Sequence, residues 1–288
     1  MYHLILTIIL TSYLFFAFKL FPRFKVNTFH AIIVNYVTCV STGVLFSYQD
    51  INFEHIVHSP WLFPTIVLGL LFISVFYLIA YSSQKTGVTI TSVASKMSLI
   101  VPVIISLFFI KKDFEHYTLL DYLVIVIAIL SVVLSSIKKD ASKNNAKVWI
   151  PIIVFIGTGT VDTLINYVNS LFTHVSDEKI SPIIGFFSAG CFGIVILIYQ
   201  LIKTRKGISL HSIIAGVLLG VPNYFSIYFL LKTLSHFDSN GAFVFPITNI
   251  GVILFSTFIS LIFFKERLST SNYIGIGMGV LALVCLLF

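Results

Sequence analysis

Two ionisable residues, Lys96 and Asp162, lie deep inside long apolar runs of the sequence. A charge at the centre of a membrane helix costs about 2.5–3.5 kcal/mol on insertion scales, so such residues usually face a cavity or a partner. We predict a solute or proton site here, with Lys96 holding a carboxylate and Asp162 an amine or a proton. The alternative is a structural ion pair, or a lysine whose ammonium extends toward one membrane surface.

Both residues share a helical face with further polar groups. Ser92 precedes Lys96 by four positions, which places the two side chains on one face of a helix. Asp162 lies in a polar stripe at i, i+4, i+8 and i+11, made of Thr158, Asp162, Asn166 and Asn169. We therefore add Ser92 and Asn166 to the candidate site.

Amide and tyrosine side chains in other apolar runs complete the candidate substrate-binding set. These residues are Asn35, Tyr77, Tyr81, Asn223, Tyr228 and Asn249. Such groups can hydrogen-bond a solute or supply aromatic walls to its site. The alternative is bonding between helices, worth about 0.6 kcal/mol per pair, together with tyrosines at the membrane surface.

The sequence lacks the patterns that catalysis or metal binding needs. It contains no HExxH, GxSxG or Walker sequence, no CxxC pair and no paired-carboxylate motif. His55 and His58 lie beside Glu54 in a short loop without a fourth ligand, so we expect solvated histidines. We predict neither an enzyme nor a bound cofactor or metal.

The composition places these residues in a membrane protein. Hydrophobic residues make up 58% of the 288 positions and charged residues only 10%, and the mean hydropathy is +1.02. A soluble domain carries about 25% charged residues and would aggregate with this surface. The net charge of +7 does not indicate nucleic-acid binding, because the basic residues form short clusters between apolar runs. We expect a multi-pass protein of a bacterial inner membrane, with its first helix retained and not cleaved as a signal peptide.

Ten apolar runs have the length of a membrane-spanning helix. Each approaches the roughly 20 residues that cross the hydrocarbon core, and none shows the alternation of barrel strands. The runs are 2–20, 29–48, 61–82, 87–110, 117–137, 147–171, 181–202, 211–233, 241–264 and 271–288. We predict an all-α polytopic protein of ten transmembrane helices.

The polar stretch 138–147 divides these runs into two sets of five, and the two sets resemble each other. Gly69 recurs as Gly220 and Tyr77 as Tyr228, each 151 positions later. An odd number of helices per copy places the second copy upside down relative to the first. We therefore predict two inverted five-helix repeats, 1–137 and 148–288, with the substrate site where they meet.

A charged turn between two apolar helices carries a resemblance to a known family. The turn and the helix after it read Phe263-Phe264-Lys265-Glu266-Arg267-Leu268-Ser269 and Tyr273-Ile274-Gly275-Ile276-Gly277. The chain resembles the EamA-like ten-helix members of the drug/metabolite transporter superfamily. The earlier copy, 109–114, departs from the pattern because Asp113 stands where Glu is usual.

The resemblance implies secondary transport, usually export, of metabolites such as amino acids or of drug-like compounds. We expect a carrier that binds a small solute between inverted repeats and exposes it alternately to each side. Its partners would be that solute and the lipid bilayer, and the oligomeric state stays open. The alternative is a non-transporting membrane scaffold or receptor, whose interior polar groups bond to one another.

The distribution of basic residues predicts the orientation. The connections after the first, third, fifth, seventh and ninth runs hold 13 Lys and Arg residues, and the other connections hold 4. The positive-inside rule places the first set in the cytoplasm and both termini outside. Many relatives are expected to have cytoplasmic termini, but we favour the count from this chain.

Prolines and glycines inside the runs predict local helix geometry. Pro102, Pro222 and Pro246 each remove a backbone donor and should kink their helices. The spacings Gly216-x-x-x-Gly220 and Gly275-x-Gly277-x-Gly279 predict close contact with a neighbouring helix.

Overall fold

A computed structural model describes residues 2–47, 49, 51–102, 119–136, 149–174, 176–204, 207–237 and 241–285. All regular secondary structure within these residues is helical. The helices are α1 (Tyr2–Leu20), α2 (Thr28–Ser47), α3 (Phe53–His58), α4 (Leu62–Lys85), α5 (Val88–Met97), α6 (Leu119–Ser136), α7 (Trp149–Ser170), α8 (Asp177–Thr204), α9 (Leu210–His236), α10 (Gly241–Phe263) and α11 (Thr270–Cys285). The predicted linker 138–147 and the motif copy at 109–114 lie outside the described residues.

Each of the ten predicted apolar runs overlaps a helix in the described part of the chain. Seven helices, α1, α2, α4, α7, α8, α9 and α10, are long and apolar enough to cross a membrane. The apolar helices around α5 and at α11 are shorter. The chain is therefore an all-α protein with seven candidate membrane spans, whereas the count of ten stays a prediction.

The short helix α3 lies where the sequence indicated only a loop. Its N-cap is Asn52, whose side chain accepts hydrogen bonds from the backbone amides of Glu54 and His55 at 3.1 and 3.2 Å. Such a cap satisfies amides that a helix start otherwise leaves without acceptors. The six-residue helix is too short to produce a periodic pattern in the sequence.

Helix α5 ends at Met97, and helical structure resumes at 100–102, so the predicted run 87–110 is interrupted at residues 98–99. Its regular hydrogen bonding stops at Met97, and the Val101 amide then donates to the Ser98 carbonyl at 2.8 Å in a tighter turn. Pro102 explains the change, because it has no amide hydrogen to donate to the carbonyl four residues earlier. Residues 103–110 of the run lie outside the described residues.

The chain divides into two compact units, and both draw helices from the two halves of the sequence. Unit 1 comprises Met1–Lys19, Leu78–Asp162 and Phe225–Phe288, and unit 2 comprises Leu20–Tyr77 and Thr163–Tyr224. The units therefore do not follow the predicted repeats. Repeats are defined by order along the sequence, whereas these units are defined by contacts in space. The predicted repeat boundaries therefore stay a prediction.

In unit 1, α6 packs closely against α11, and α5 packs against α10. Gly275 brings α11 so near to α6 that an added Cβ atom would lie 2.4 Å from the Ser135 nitrogen. Ser131 Oγ donates to the Gly275 carbonyl at 2.7 Å, and Asn272 Nδ2 donates to the Ser135 carbonyl at 2.6 Å. The predicted close contact is confirmed for Gly275, whereas Gly277 has no atom within 4 Å of an added Cβ.

In unit 2, α2 packs against α8 and also approaches α9 closely. An added Cβ at Gly216 would lie 2.5 Å from Val34 Cβ, and at Gly220 it would lie 2.6 Å from Thr38 Cβ. This confirms the close contact predicted from the glycine spacing. At one end of the unit, buried Ile56 and Trp61 pack with Val168 and Ile180.

Candidate functional site

Lys96 lies in the last turn of α5, within unit 1. Its side chain is half-buried, as is that of Asp162. Among the described residues, no ion pair with an N–O distance up to 4.0 Å includes either side chain. Asp162 accepts a hydrogen bond from Ser98, two residues after Lys96, so the two charges lie in one region without a direct ion pair. A bound group with both signs of charge could bridge them.

Asp162 lies on α7 and contacts the segment that follows α5. Ser98 Oγ donates to Asp162 Oδ2 at 2.9 Å. Ser98 Oγ also lies 2.6 Å from the Ser95 carbonyl oxygen. Helix α7 approaches this segment closely at Gly159, where an added Cβ would lie 2.4 Å from Val101 Cβ. The interrupted end of α5 thus presents a hydroxyl to the carboxylate, as broken helices do at many membrane solute sites.

Helix α10 supplies polar contacts to α5 along the face that carries Lys96. Asn249 Nδ2 donates to the Lys96 carbonyl at 3.2 Å, and Ser256 Oγ donates to Ser92 Oγ at 2.6 Å. Both serines are buried, whereas Asn249 is half-buried. Four predicted residues, Lys96, Asp162, Ser92 and Asn249, therefore lie in unit 1 on three helices joined by polar contacts.

Two other predicted residues, Asn35 and Asn223, bond to each other in unit 2. Asn223 Nδ2 donates to Asn35 Oδ1 at 3.2 Å, and both side chains are buried. Cys39 Sγ joins this cluster by donating to the Gly220 carbonyl at 3.3 Å. This bonding indicates that the pair holds α2 against α9.

Two of the predicted tyrosines lie beside a lysine one helical turn further along. The Lys85 ammonium is 5.9 Å from the ring centre of Tyr81, and that of Lys232 is 5.8 Å from Tyr228. Cation–π contacts of this kind are common where helices reach a membrane surface.

The remaining predicted residues, Tyr77 and Asn166, lie in unit 2. Tyr77 is exposed and stacks edge to face on Phe29 at 6.1 Å between ring centres, and Asn166 is exposed on α7. In the polar stripe of α7, the buried Thr158 hydroxyl bonds to the Val154 carbonyl of its own helix at 2.6 Å. Asp162 is therefore the stripe member that bonds to a side chain outside its helix.

A histidine cluster at one end of unit 2 differs from the sequence-based expectation. His55 Nε2 lies 2.7 Å from Asp177 Oδ1, and the His55 ring stacks on His174 with centres 4.3 Å apart. The other oxygen of Asp177 accepts from the backbone amides of Thr173 and His174 at 2.9 and 3.0 Å. The expectation of a solvated side chain is wrong for His55, whose partner lies 122 residues away in sequence.

Sequence reasoning missed Ser98 and Ser256, which bond directly to predicted residues. Ser98 lies four residues before Pro102, and that spacing is a signal of a broken helix end that could have identified it. Ser256 shows no comparable signal, because one serine in an apolar helix usually bonds to its own backbone.

Comparisons with known proteins establish similarity without naming a function. No protein-family model matches the chain. An uncharacterized protein of Haemophilus influenzae is 26% identical over 292 residues, covering 100% of this chain and 98% of its own length. A protein of known crystal structure covers 97% of this chain and 95% of its own, with a TM-score of 0.55 and 12% identity. At that identity the likeness concerns the fold alone.

Proposed function

We propose that the protein is a secondary transporter, related to the EamA-like carriers, that exports small metabolites such as amino acids. The observation that carries this proposal is the pair Lys96 and Asp162. Two opposite charges at depth in apolar helices are costly, and among the described residues neither has a direct ion pair. A zwitterionic or similarly polar solute would satisfy both charges when bound and release them when transported.

The packing of the helices supports the proposed inverted repeats. Within unit 1, α5 packs against α10 and α6 against α11, and within unit 2, α2 packs against α8. Each pair joins helices that hold the same position in the two proposed repeats: the fourth helices, the fifth helices and the second helices. A twofold relation brings equivalent elements together in this way, since each copy then presents the same surface to the other.

Two repeat-related glycines, Gly69 and Gly220, make reciprocal contacts in unit 2. An added Cβ at Gly69 of α4 would lie 2.5 Å from Ser188 Cβ on α8, and at Gly220 of α9 it would lie 2.6 Å from Thr38 Cβ on α2. In each case the third helix of one proposed repeat approaches the second helix of the other. This reciprocity favours a duplicated unit over a chance likeness of sequence.

Contacts between helix ends support the proposed orientation. Lys19 near the end of α1 lies 3.7 Å from Glu266 after α10, and its ammonium donates to the Gln84 carbonyl near the end of α4 at 3.5 Å. The chain segments at the ends of the first, third and ninth predicted runs therefore meet at one end of unit 1. Because the connections after the first, third, fifth, seventh and ninth predicted runs hold most of the basic residues, we propose that this end faces the cytoplasm of a bacterial inner membrane, crossed ten times, with both termini outside.

A membrane scaffold or receptor is the second candidate, and the hydrogen bond between the buried amides of Asn35 and Asn223 favours it. Asn35 Oδ1 accepts from Asn223 Nδ2, whereas Asn35 Nδ2 has no hydrogen-bond partner in the described part of the chain. A scaffold needs such bonding at every interior polar group. Lys96 departs from that requirement, because in the described part of the chain no ion pair with an N–O distance up to 4.0 Å includes its ammonium.

The test is solute flux in liposomes that contain the purified protein. A panel of amino acids, sugars and cationic drugs is offered to the wild type and to the variants Lys96→Ala and Asp162→Asn. We expect flux of at least one solute in the wild type and its loss in both variants. Lys203→Ala and Glu178→Gln, which alter exposed residues elsewhere, should retain it. Absence of flux across the panel, or equal flux in all variants, would reject the proposal.

A further inference from the structure

The carboxylate of Glu266 joins four segments of unit 1. Glu266 Oε1 accepts from the Val88 amide at 2.9 Å, and Oε2 accepts from the Thr89 amide at 3.4 Å. The Lys19 ammonium lies 3.7 Å from Oε1. Lys19 also bonds to the Gln84 carbonyl, so the end of α1, the end of α4, the start of α5 and the loop after α10 meet at one carboxylate.

The start of α5 depends on this distant group. Its N-cap is Gly87, which has no side chain to accept the first amides of the helix. Unpaired amides at a helix start are costly where water is scarce, and the positive end of the helix dipole favours a carboxylate there. Glu266 supplies that carboxylate from 178 residues away, with 14% of its side chain exposed.

The backbone has a positive φ on both sides of the contact between Glu266 and the start of α5. Gly87 has φ of +117°, and an added Cβ would lie 2.7 Å from Glu266 Oε1. Lys265 has φ of 49°, a left-handed conformation that is uncommon for residues other than glycine. The Glu266 amide donates back to the Ser260 carbonyl at 3.4 Å, which closes the end of α10.

Helix α5 connects this contact to the candidate site. It has ten residues, with Glu266 at its first amides and Lys96 in its last turn. Asn249 of α10 bonds to the Lys96 carbonyl at the other end. Both ends of the helix are therefore held by α10 or the loop after it, and a shift at either end would move Lys96.

We propose that Glu266 is a positioning residue for Lys96. By capping α5 and pairing with Lys19, it fixes where the Lys96 ammonium stands relative to Asp162. Only an effect of Glu266 on solute flux depends on the proposed function. Its structural part concerns the placement of one helix and is measurable without any solute.

The first measurement is hydrogen exchange of the full-length protein, in segments that contain Val88 and Thr89. Glu266→Gln should raise exchange there on the order of tenfold, because a charge-assisted bond is weakened. Lys265→Gly is the matched control, since glycine favours the left-handed conformation and leaves Glu266 in place. Unchanged exchange in Glu266→Gln would overturn the capping role.

The second measurement separates positioning from a merely structural cap. Lys96→Cys is introduced into a chain whose three native cysteines are replaced by serine, and its reaction with N-ethylmaleimide is timed. We expect Glu266→Gln to change the labelling rate severalfold, whereas Lys265→Gly should not. Raised amide exchange with an unchanged labelling rate would overturn the positioning role. If the wild type shows no flux, the transport proposal fails while these two measurements still decide the role of Glu266.

Discussion

The Ser98 hydroxyl oxygen lies 2.9 Å from Asp162 Oδ2, at the point where the regular hydrogen bonding of α5 ends. The contact joins two segments that are 64 residues apart in sequence. It gives the Asp162 carboxylate a donor from the segment that follows α5. The interrupted end of α5 and the charge on α7 therefore form one local arrangement.

Replacing Ser98 with alanine should weaken solute binding without preventing folding. A hydrogen bond to a charged group is worth about 1.5–3 kcal/mol, so the apparent affinity for a transported solute should fall roughly tenfold or more. Ser98→Thr keeps the hydroxyl and serves as the control. Concentration-dependent flux measures both variants, and an unchanged half-saturation in Ser98→Ala would contradict the expectation.

The amide pair Asn35 and Asn223 should contribute to stability and not to flux. Each single alanine variant leaves a buried partner unsatisfied, whereas the double variant removes both groups. We expect a coupling energy of about 0.6 kcal/mol in a double-mutant cycle of unfolding in detergent, with flux retained. Complete loss of flux in folded Asn35→Ala protein would instead place this amide in the solute site.

The reciprocal glycines Gly69 and Gly220 should respond alike to substitution. An alanine Cβ at either position would overlap a facing helix, and overpacking typically costs about 1–3 kcal/mol. Thermal unfolding of Gly69→Ala and Gly220→Ala should show comparable losses. Gly277→Ala is the control, because nothing lies within 4 Å of its Cβ position. A loss in one variant alone would contradict the reciprocal packing.

The Asp177 carboxylate should stabilise the connection between α7 and α8. It accepts from two backbone amides and contacts His55, so Asp177→Ala leaves several donors without an acceptor. We expect a loss of about 1–3 kcal/mol and faster proteolysis of the connection. Glu178→Gln alters the adjacent exposed acid and should change neither. Equal proteolysis of the two variants would show that the contact contributes little.

The sequence predicted the seven candidate membrane spans well because each is an apolar run of sufficient length. Local spacing also predicted the close approach at Gly216 and Gly220, since small residues on one face have few other uses. The early end of α5 follows from Pro102, which the sequence displays. The sequence therefore predicted features that depend on the residues of one helix, such as its position, its end and its small-residue face.

Pairing between distant segments was beyond the reach of the sequence. Glu266 could be read as part of a charged turn, but its bond to Val88 depends on how α10 packs beside α5. The same holds for His55, which a short loop makes look solvated and which pairs with Asp177. The packing of whole helices determines such contacts, and local periodicity in the sequence does not reveal them.

Counterflow tests the carrier directly. Liposomes containing the protein are loaded with an unlabelled solute from the panel, and uptake of the labelled solute is followed as the gradient drives exchange. Alternating access at one site predicts transient accumulation of label above equilibrium in the wild type and none in Asp162→Asn. Uptake in the wild type that only approaches equilibrium, or accumulation that persists in Asp162→Asn, would contradict a carrier built around Lys96 and Asp162.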